Sequence, residues 1–242
     1  MTLKPPKLSF LILGLSAALG AAVFVGCAHP VQQTAAHKIA DALPAVVGPA
    51  ARYDVQVDGD PFALVRGRAR GIHIQGKSVQ LSPILTLDTL NADADDVSFD
   101  QKTRTLTHVG QTRFTASLSQ THFDAYLAGS KPLLPNLAVT LRTDDVLASV
   151  PVTFLGMHTV ARLSGTVRPS AFDPTRLDFV ANGAQLGDVP LPAGLINLAL
   201  DRLNPVITLT GLRVPLSVTQ AQITDGRLVL GGTADLNGLA AR

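Results

Sequence analysis

Residues 53–100 constrain the fold more than any other stretch. Tyr53, Val55 and Val57 alternate with charged or polar residues, the period-2 pattern of a half-buried strand. Gly59-Asp60-Pro61 breaks the run, since Pro61 cannot donate to a ladder and Gly59 accepts a turn. Residues 62–65 make one short apolar turn, and Gly67 reopens an extended run over 68–75 in which Ile72 and Ile74 alternate. Gly76-Lys77 reads as another turn, followed by extended segments over 79–87 and 90–99. Four strands in succession with brief turns predict an antiparallel meander. If 84–99 were one strand it would span ~50 Å at about 3.3 Å per residue, far beyond the ordinary strand of about five or six residues. Such a sheet must twist and coil, and its concave side can enclose something.

The rest of the chain continues the β pattern with three helical interruptions. Residues 104–109 and 112–119 predict a hairpin through Gly110. Ser119 or Thr121 can cap the helix that follows, with Asp124 completing a Thr-x-x-Asp box, and Phe123, Tyr126 and Leu127 share its inner face. Further strands are expected over 137–142, 146–154, 157–167 and 176–180. Leu195, Ile196, Leu198, Ala199, Leu200 and Leu203 make a helix apolar over most of its circumference, which predicts burial on several sides. It is too short to cross a membrane. Asp225-Gly226 suits a type I′ turn closing a last hairpin, 214–223 with 227–230. Earlier, Ile39, Leu43 and Val46 recur at helical spacing from Ala35 onward, which predicts a helix capping the open end of the sheet, limited or kinked by Pro44.

Lys4 and Lys7 precede an uncharged, mostly apolar run over 8–25, then Gly26-Cys27: the layout of a secretory signal peptide. Phe24-Val25-Gly26-Cys27 resembles the bacterial lipobox, whose cysteine is diacylated and becomes the mature N-terminus, although Phe24 stands where leucine is usual. An uncleaved anchor and ordinary cleavage are the alternatives, and all three place the rest outside the cytoplasm. The organisation expected is therefore a signal segment 1–27, a tether 28–34 and one domain 35–242. Cys27 is the one cysteine, which excludes an intramolecular disulfide and a cysteine metal site.

Catalytic patterns are absent from the sequence: no Gly-x-Ser-x-Gly, no Ser-x-x-Lys, no His-Glu-x-x-His and no phosphate loop. Six histidines lack metal-ligand spacing; His122 reads as a helix-surface residue with no serine tied to it. The acidic run 91–96 lacks the sixth-position Gly and twelfth-position Glu of a calcium loop, so it reads as a solvated strand face. A net charge of +2, with no basic cluster interleaved with aromatics, argues against nucleic acid. Arg66, Arg68 and Arg70 would share one strand face, either as a solvated outer surface or as a contact for a phosphate group.

The ordered set of these motifs carries a resemblance. A strand ending in Gly-x-Pro, a short apolar turn, a glycine, a second strand and a long Leu-rich strand closing on Val97-Ser98-Phe99-Asp100 resemble the LmeA-like phospholipid-binding family. Phe123-Asp124-Ala125-Tyr126-Leu127, Val189-Pro190-Leu191-Pro192, Asn204-Pro205 and the run 223–230 agree with it in order, over residues 35–238. The resemblance implies an α+β fold of the tubular lipid-binding kind: a long curved antiparallel sheet wrapped around helices, with lipid between them. The expectation is an exported, membrane-anchored lipoprotein of the periplasm or cell envelope. It would be acylated at Cys27 and would carry a phospholipid-like ligand without a cofactor or catalysis. Phe123, Tyr126, Leu127, Leu195, Leu198 and Ala199 would line the lipid, and Arg66, Arg68 and Arg70 would meet its head group. A scaffolding lipoprotein filled by its own side chains and a lipid hydrolase are the rivals.

Overall fold

The structure, a computed structural model, describes residues 28–100, 105–132, 137–143, 145–154 and 157–237. Of these, the side chains of 28–31, 105, 152–154, 157, 193, 195 and 198 fall outside the description, and the expected signal segment with Cys27 lies wholly outside the described residues.

The meander has three strands where the sequence suggested four. β1 (Arg52–Asp58), β2 (Arg68–Ser82) and β3 (Leu85–Asp100) pair antiparallel in order, and β2 runs straight through Gly76-Lys77. Gly76 stands opposite Tyr53, and a Cβ there would lie 2.5 Å from Val79 Cγ2 and 3.0 Å from Tyr53 Cε1. It marks a close approach within a strand, the other use of glycine in a sheet. The 16 residues of β3 confirm the long strand. Ser78 (φ 51°) and Asp96 (φ 49°) adopt the left-handed conformation, and the β2–β3 register passes over them. Past each irregularity the inward parity of β3 changes: Leu85 and Leu87 are buried, then Leu90 and Ala94, then Val97 and Phe99.

β4 (Thr105–His108) and β5 (Thr112–Ser119) do not pair with each other, contrary to the predicted hairpin. Both run along β3, β4 against 98–100 and β5 against 89–94. Gly110 N donates to Asp95 O at 2.9 Å and Asp95 N to Gln111 O at 3.0 Å, so 109–111 is a jog beside β3 and not a reversal.

Among the described residues the strands form two sheets. The first has the order β1-β2-β3-β5-β13-β12, with β4 on β3; β12 (Leu216–Thr224) and β13 (Arg227–Ala234) are the last hairpin. Its Asp225-Gly226 turn has φ 52° and 69°, the double positive φ of type I′. The second sheet runs β10-β9-β8-β7-β6, from β6 (Ala138–Leu141), β7 (Val146–Phe154), β8 (Met157–Pro169), β9 (Arg176–Leu186) and β10 (Val189–Pro190). The short β11 (Ile207–Thr208) also pairs with β9. The sheets are curved and unclosed, antiparallel throughout, with few helices, an α+β arrangement of the class expected.

Four helices sit on these sheets. α1 (Ala28–Val46) takes in residues 28–34, the stretch that composition suggests is a tether. Its buried Ala35, Ile39 and Leu43 pack on Val57, Ala69 and Val97, so it lies along the inner face of the first sheet and does not merely cap an end. α2 (Pro61–Val65) starts where Asp60 accepts from Phe62 N at 2.9 Å and Ala63 N at 3.2 Å, with Pro61 in the first turn. α3 (Gln120–Ser130) follows Ser119 at its N-cap. Gln120 Nε2 donates to Val139 O, its Oε1 accepts from Leu141 N at 2.8 Å, and Tyr126 Oη accepts from Thr208 N at 2.9 Å. These bonds tie α3 to the second sheet, while Phe123 fills a core shared with Leu118, Leu163 and Phe179. α4 (Ala193–Leu203) lies on β9. Among its described side chains only Leu203 is buried, and Asn197, Asp201 and Arg202 are exposed. Among the described side chains, those polar residues leave one side of the helix exposed, while Ile196, Ala199 and Leu200 are half-buried against the core.

Candidate functional site

An apolar groove opens between α1 and the inner face of the first sheet. Its origin is a deficit of side-chain volume in the floor. Ile72 stands opposite Ala94, and Ala94 opposite Thr112; Ile74 stands opposite Ala92, and Ala92 opposite Phe114. Ala234, opposite Leu216, adds a third small residue. Above this floor α1 presents Ile39, Leu43 and Val46, and Leu212 and Val214 form the facing wall. The space amounts to about 160 Å³, similar to the ~150 Å³ apolar cavity that stays dry and takes up benzene.

Two polar side chains belong to the described lining, Thr112 and Arg213. Thr112 is 5% exposed, and its hydroxyl has no hydrogen-bond partner among the described residues. Arg213 is exposed, and its Nη1 donates to Ala45 O at 2.6 Å. That bond joins the wall at 212–214 to the last turn of α1, in the manner of a basic side chain meeting the carbonyls of a helix C-terminus. Two larger depressions, about 620 and about 810 Å³, are open and more polar.

The residues singled out from sequence lie elsewhere. Phe123, Tyr126 and Leu127 are buried together on α3, within the core and away from the groove lining. Leu127 also edges the 620 Å³ depression beside Gln120, Asp124 and Lys131. Ala199 is half-buried against the core on α4; the side chains of Leu195 and Leu198, like Cys27, lie outside the described residues. Arg66 caps the C-terminus of α2 and so is not part of a strand. Arg68 and Arg70 alternate with buried Ala69 and Gly71 and point outward. All three arginines are exposed and none lines the groove. The signal that sequence reading missed is Ala92-Asp93-Ala94: Asn91 and Asp93 are solvated, as expected, but the intervening alanines face inward beneath α1.

Two polar clusters lie away from the groove. On the outside of the meander, His73 Nδ1 lies 2.5 Å from Asp93 Oδ1 and its Nε2 3.1 Å from Asp58 Oδ2. The hydrogen bond to Asp93 chiefly holds His73 above the usual imidazole range, against slight burial and with help from Asp58. At the start of α3, His122 does have a serine beside it, contrary to the sequence reading: Ser119 Oγ is 3.4 Å from His122 Nδ1, and Asp88 Oδ1 is 3.2 Å from the same nitrogen. Burial would raise the Asp88 carboxyl, but bonds from the Ser119 N–H and hydroxyl and from His122 outweigh it and hold it below the usual carboxylate range. A proton relay needs serine and carboxylate on opposite ring nitrogens. Here both meet Nδ1, and the cluster anchors the helix start to β3. Among the described residues no three histidine, cysteine or acidic side chains are placed to hold a metal ion.

An antiparallel α+β fold with a helix lying over an apolar trough in a coiled sheet defines a class of protein suited to hold the apolar part of an amphiphile. A family model described as LmeA-like phospholipid-binding matches residues 29–233. The chain belongs to that family. No curated protein and no solved structure matches it.

Proposed function

We propose that this chain is an envelope lipoprotein that carries a phospholipid, holding an acyl chain in the groove beneath α1 and performing no catalysis. The observation that carries the reading is the groove itself, about 160 Å³ with Thr112 and Arg213 as its polar lining. Each buried methylene contributes ~0.8 kcal/mol, so a chain of about sixteen carbons gains on the order of 10 kcal/mol before ordering costs. The closed groove has room for a segment of such a chain. Full uptake parts α1 from the wall at 212–214, breaking the bond from Arg213 to Ala45 and freeing a guanidinium at the mouth to meet the lipid phosphate.

The first described turns of α1 support a membrane end on the side of α2. Gln32 Nε2 donates to Gly59 O at 3.1 Å, which fixes that end beside α2. An acylated Cys27 would bring to the bilayer the neighbouring Phe62, 77% exposed, with Arg66, Arg68 and Arg70 facing lipid phosphates.

Transfer of a labelled phospholipid from donor vesicles to the purified protein tests the carrier reading. Wild type takes up the label. Ala92→Phe fills the floor, costs at most about 1–3 kcal/mol through overpacking, and abolishes uptake while unfolding cooperatively. No uptake by wild type, or full uptake by the folded variant, overturns the assignment of the groove; release of a hydrolysed product overturns the non-catalytic reading.

A further inference from the structure

Thr112 is anomalous in its place. It opens β5 in the row that crosses the sheet through Ile72 and Ala94, belongs to the groove lining and is nearly fully buried, its hydroxyl oxygen covered in the ligand-free groove. A valine there would present the same branched shape to an apolar space with no hydroxyl to satisfy. Most buried polar groups have a partner, and leaving one without is destabilising. Nor is the hydroxyl occupied with local backbone: the amides and carbonyls beside it, Asp95 N to Gln111 O and Gly110 N to Asp95 O, bond each other. One other described side chain, Thr166, has a buried hydroxyl without a partner, and it lines neither the groove nor the larger depressions.

The Thr112 hydroxyl can donate and accept, and a ligand group that takes its proton within an apolar groove must be an uncharged acceptor. A phosphate does not qualify, because a buried charge needs a paired counter-charge and the one charged side chain of the described lining, Arg213, is exposed. The ester carbonyl of an acyl chain does qualify, being neutral and joined directly to the hydrocarbon. We propose that Thr112 donates its hydroxyl proton to an acyl-ester carbonyl of the bound lipid, so that the groove selects ester-linked chains over plain hydrocarbon. This deepens the carrier reading and rests on it.

The test compares diacyl phosphatidylglycerol with its dialkyl ether analogue, equal in head group and chain length, for binding to the full-length protein. The ester lipid binds wild type about tenfold more tightly, the factor that ~1.4 kcal/mol of hydrogen bonding corresponds to. Thr112→Val erases the preference by weakening the ester lipid alone, and its melting temperature is no lower than that of wild type. Thr112→Ser, which retains a hydroxyl, keeps the preference. Equal binding of both lipids to wild type overturns the proposal whatever the variants do, and so does a Thr112→Val protein that loses both lipids equally. If wild type binds neither lipid, the carrier reading fails as well, an outcome distinct from the other two.

Discussion

Gly76 carries no side chain because Val79 and the Tyr53 ring already occupy the volume a Cβ would need. Val79 is fully buried and Tyr53 is fastened by its hydroxyl, which donates to Gly48 O at 2.8 Å, so neither neighbour is free to give way. Gly76→Ala is therefore expected to lower the unfolding free energy by ~1–3 kcal/mol, read from the midpoint of urea denaturation. A change within about 0.5 kcal/mol, the ordinary range for a surface substitution, would show that the strand relaxes around the methyl. The same residue explains one misreading. A glycine followed by lysine between two apolar runs is equally consistent with a turn and with a crowded strand interior, and only the residue across the ladder, Tyr53, tells them apart. Gly59-Asp60-Pro61 was legible because three local effects agree there: a broken ladder, a side-chain cap and a proline in the first turn.

At the scale of elements, strict alternation made strands readable. The runs read at 112–119 and 146–154 coincide with β5 and β7, and the inward residues of β5, Thr112, Phe114, Ala116 and Leu118, are all buried. Partners were less legible than extents. Gly110 suggested a hairpin, yet β4 and β5 behave as two halves of one strand along β3, and β5 finds its partners well upstream, from Ala94 opposite Thr112 to Thr89 opposite Ser117. For α1 the positions Ile39 and Leu43 told which side is buried, while its start at Ala28 was hidden by a stretch without an apolar stripe. Cys27 stands directly before the first described residue of that helix in sequence, and the acylation proposed for it has a direct test. Cys27→Ser is expected to move the protein from the membrane fraction to the soluble fraction at the size of the processed chain. A full-length Cys27→Ser protein that stays with membranes would instead identify 8–25 as a retained anchor helix.

For the molecule as a whole, the order of short motifs from 53 to 230 was enough to indicate the fold class, since each is weak turn chemistry but their succession is not. The groove was not legible. Its lining runs from Ile39 to Leu236, drawn from α1, both long strands of the meander and the last hairpin. Alternation says which side chains point inward, but whether the inward space is filled depends on which small residues meet across strands distant in sequence, such as Ala94 and Thr112. The last hairpin also completes the first sheet at one edge: β13 lies between β5 and β12 and contributes the buried Leu228 and Leu230. A chain ending at Asp225 is expected to lose cooperative unfolding in a denaturant titration, and a sharp transition in that truncation would show that the rest of the sheet stands alone.

That placement of β13 gives the protein a clock. Synthesis and any threading across a membrane proceed from the N-terminus, so the meander emerges first and must wait, its inner face uncovered on one side, until the final strand arrives to lie against β5. Pairings of such long sequence separation form late and slowly. Until then the groove lacks Ala234, the small residue that β13 contributes to its lining. The groove is thus completed only once β13 has been made and has paired with β5, with the order of strands serving as the timer.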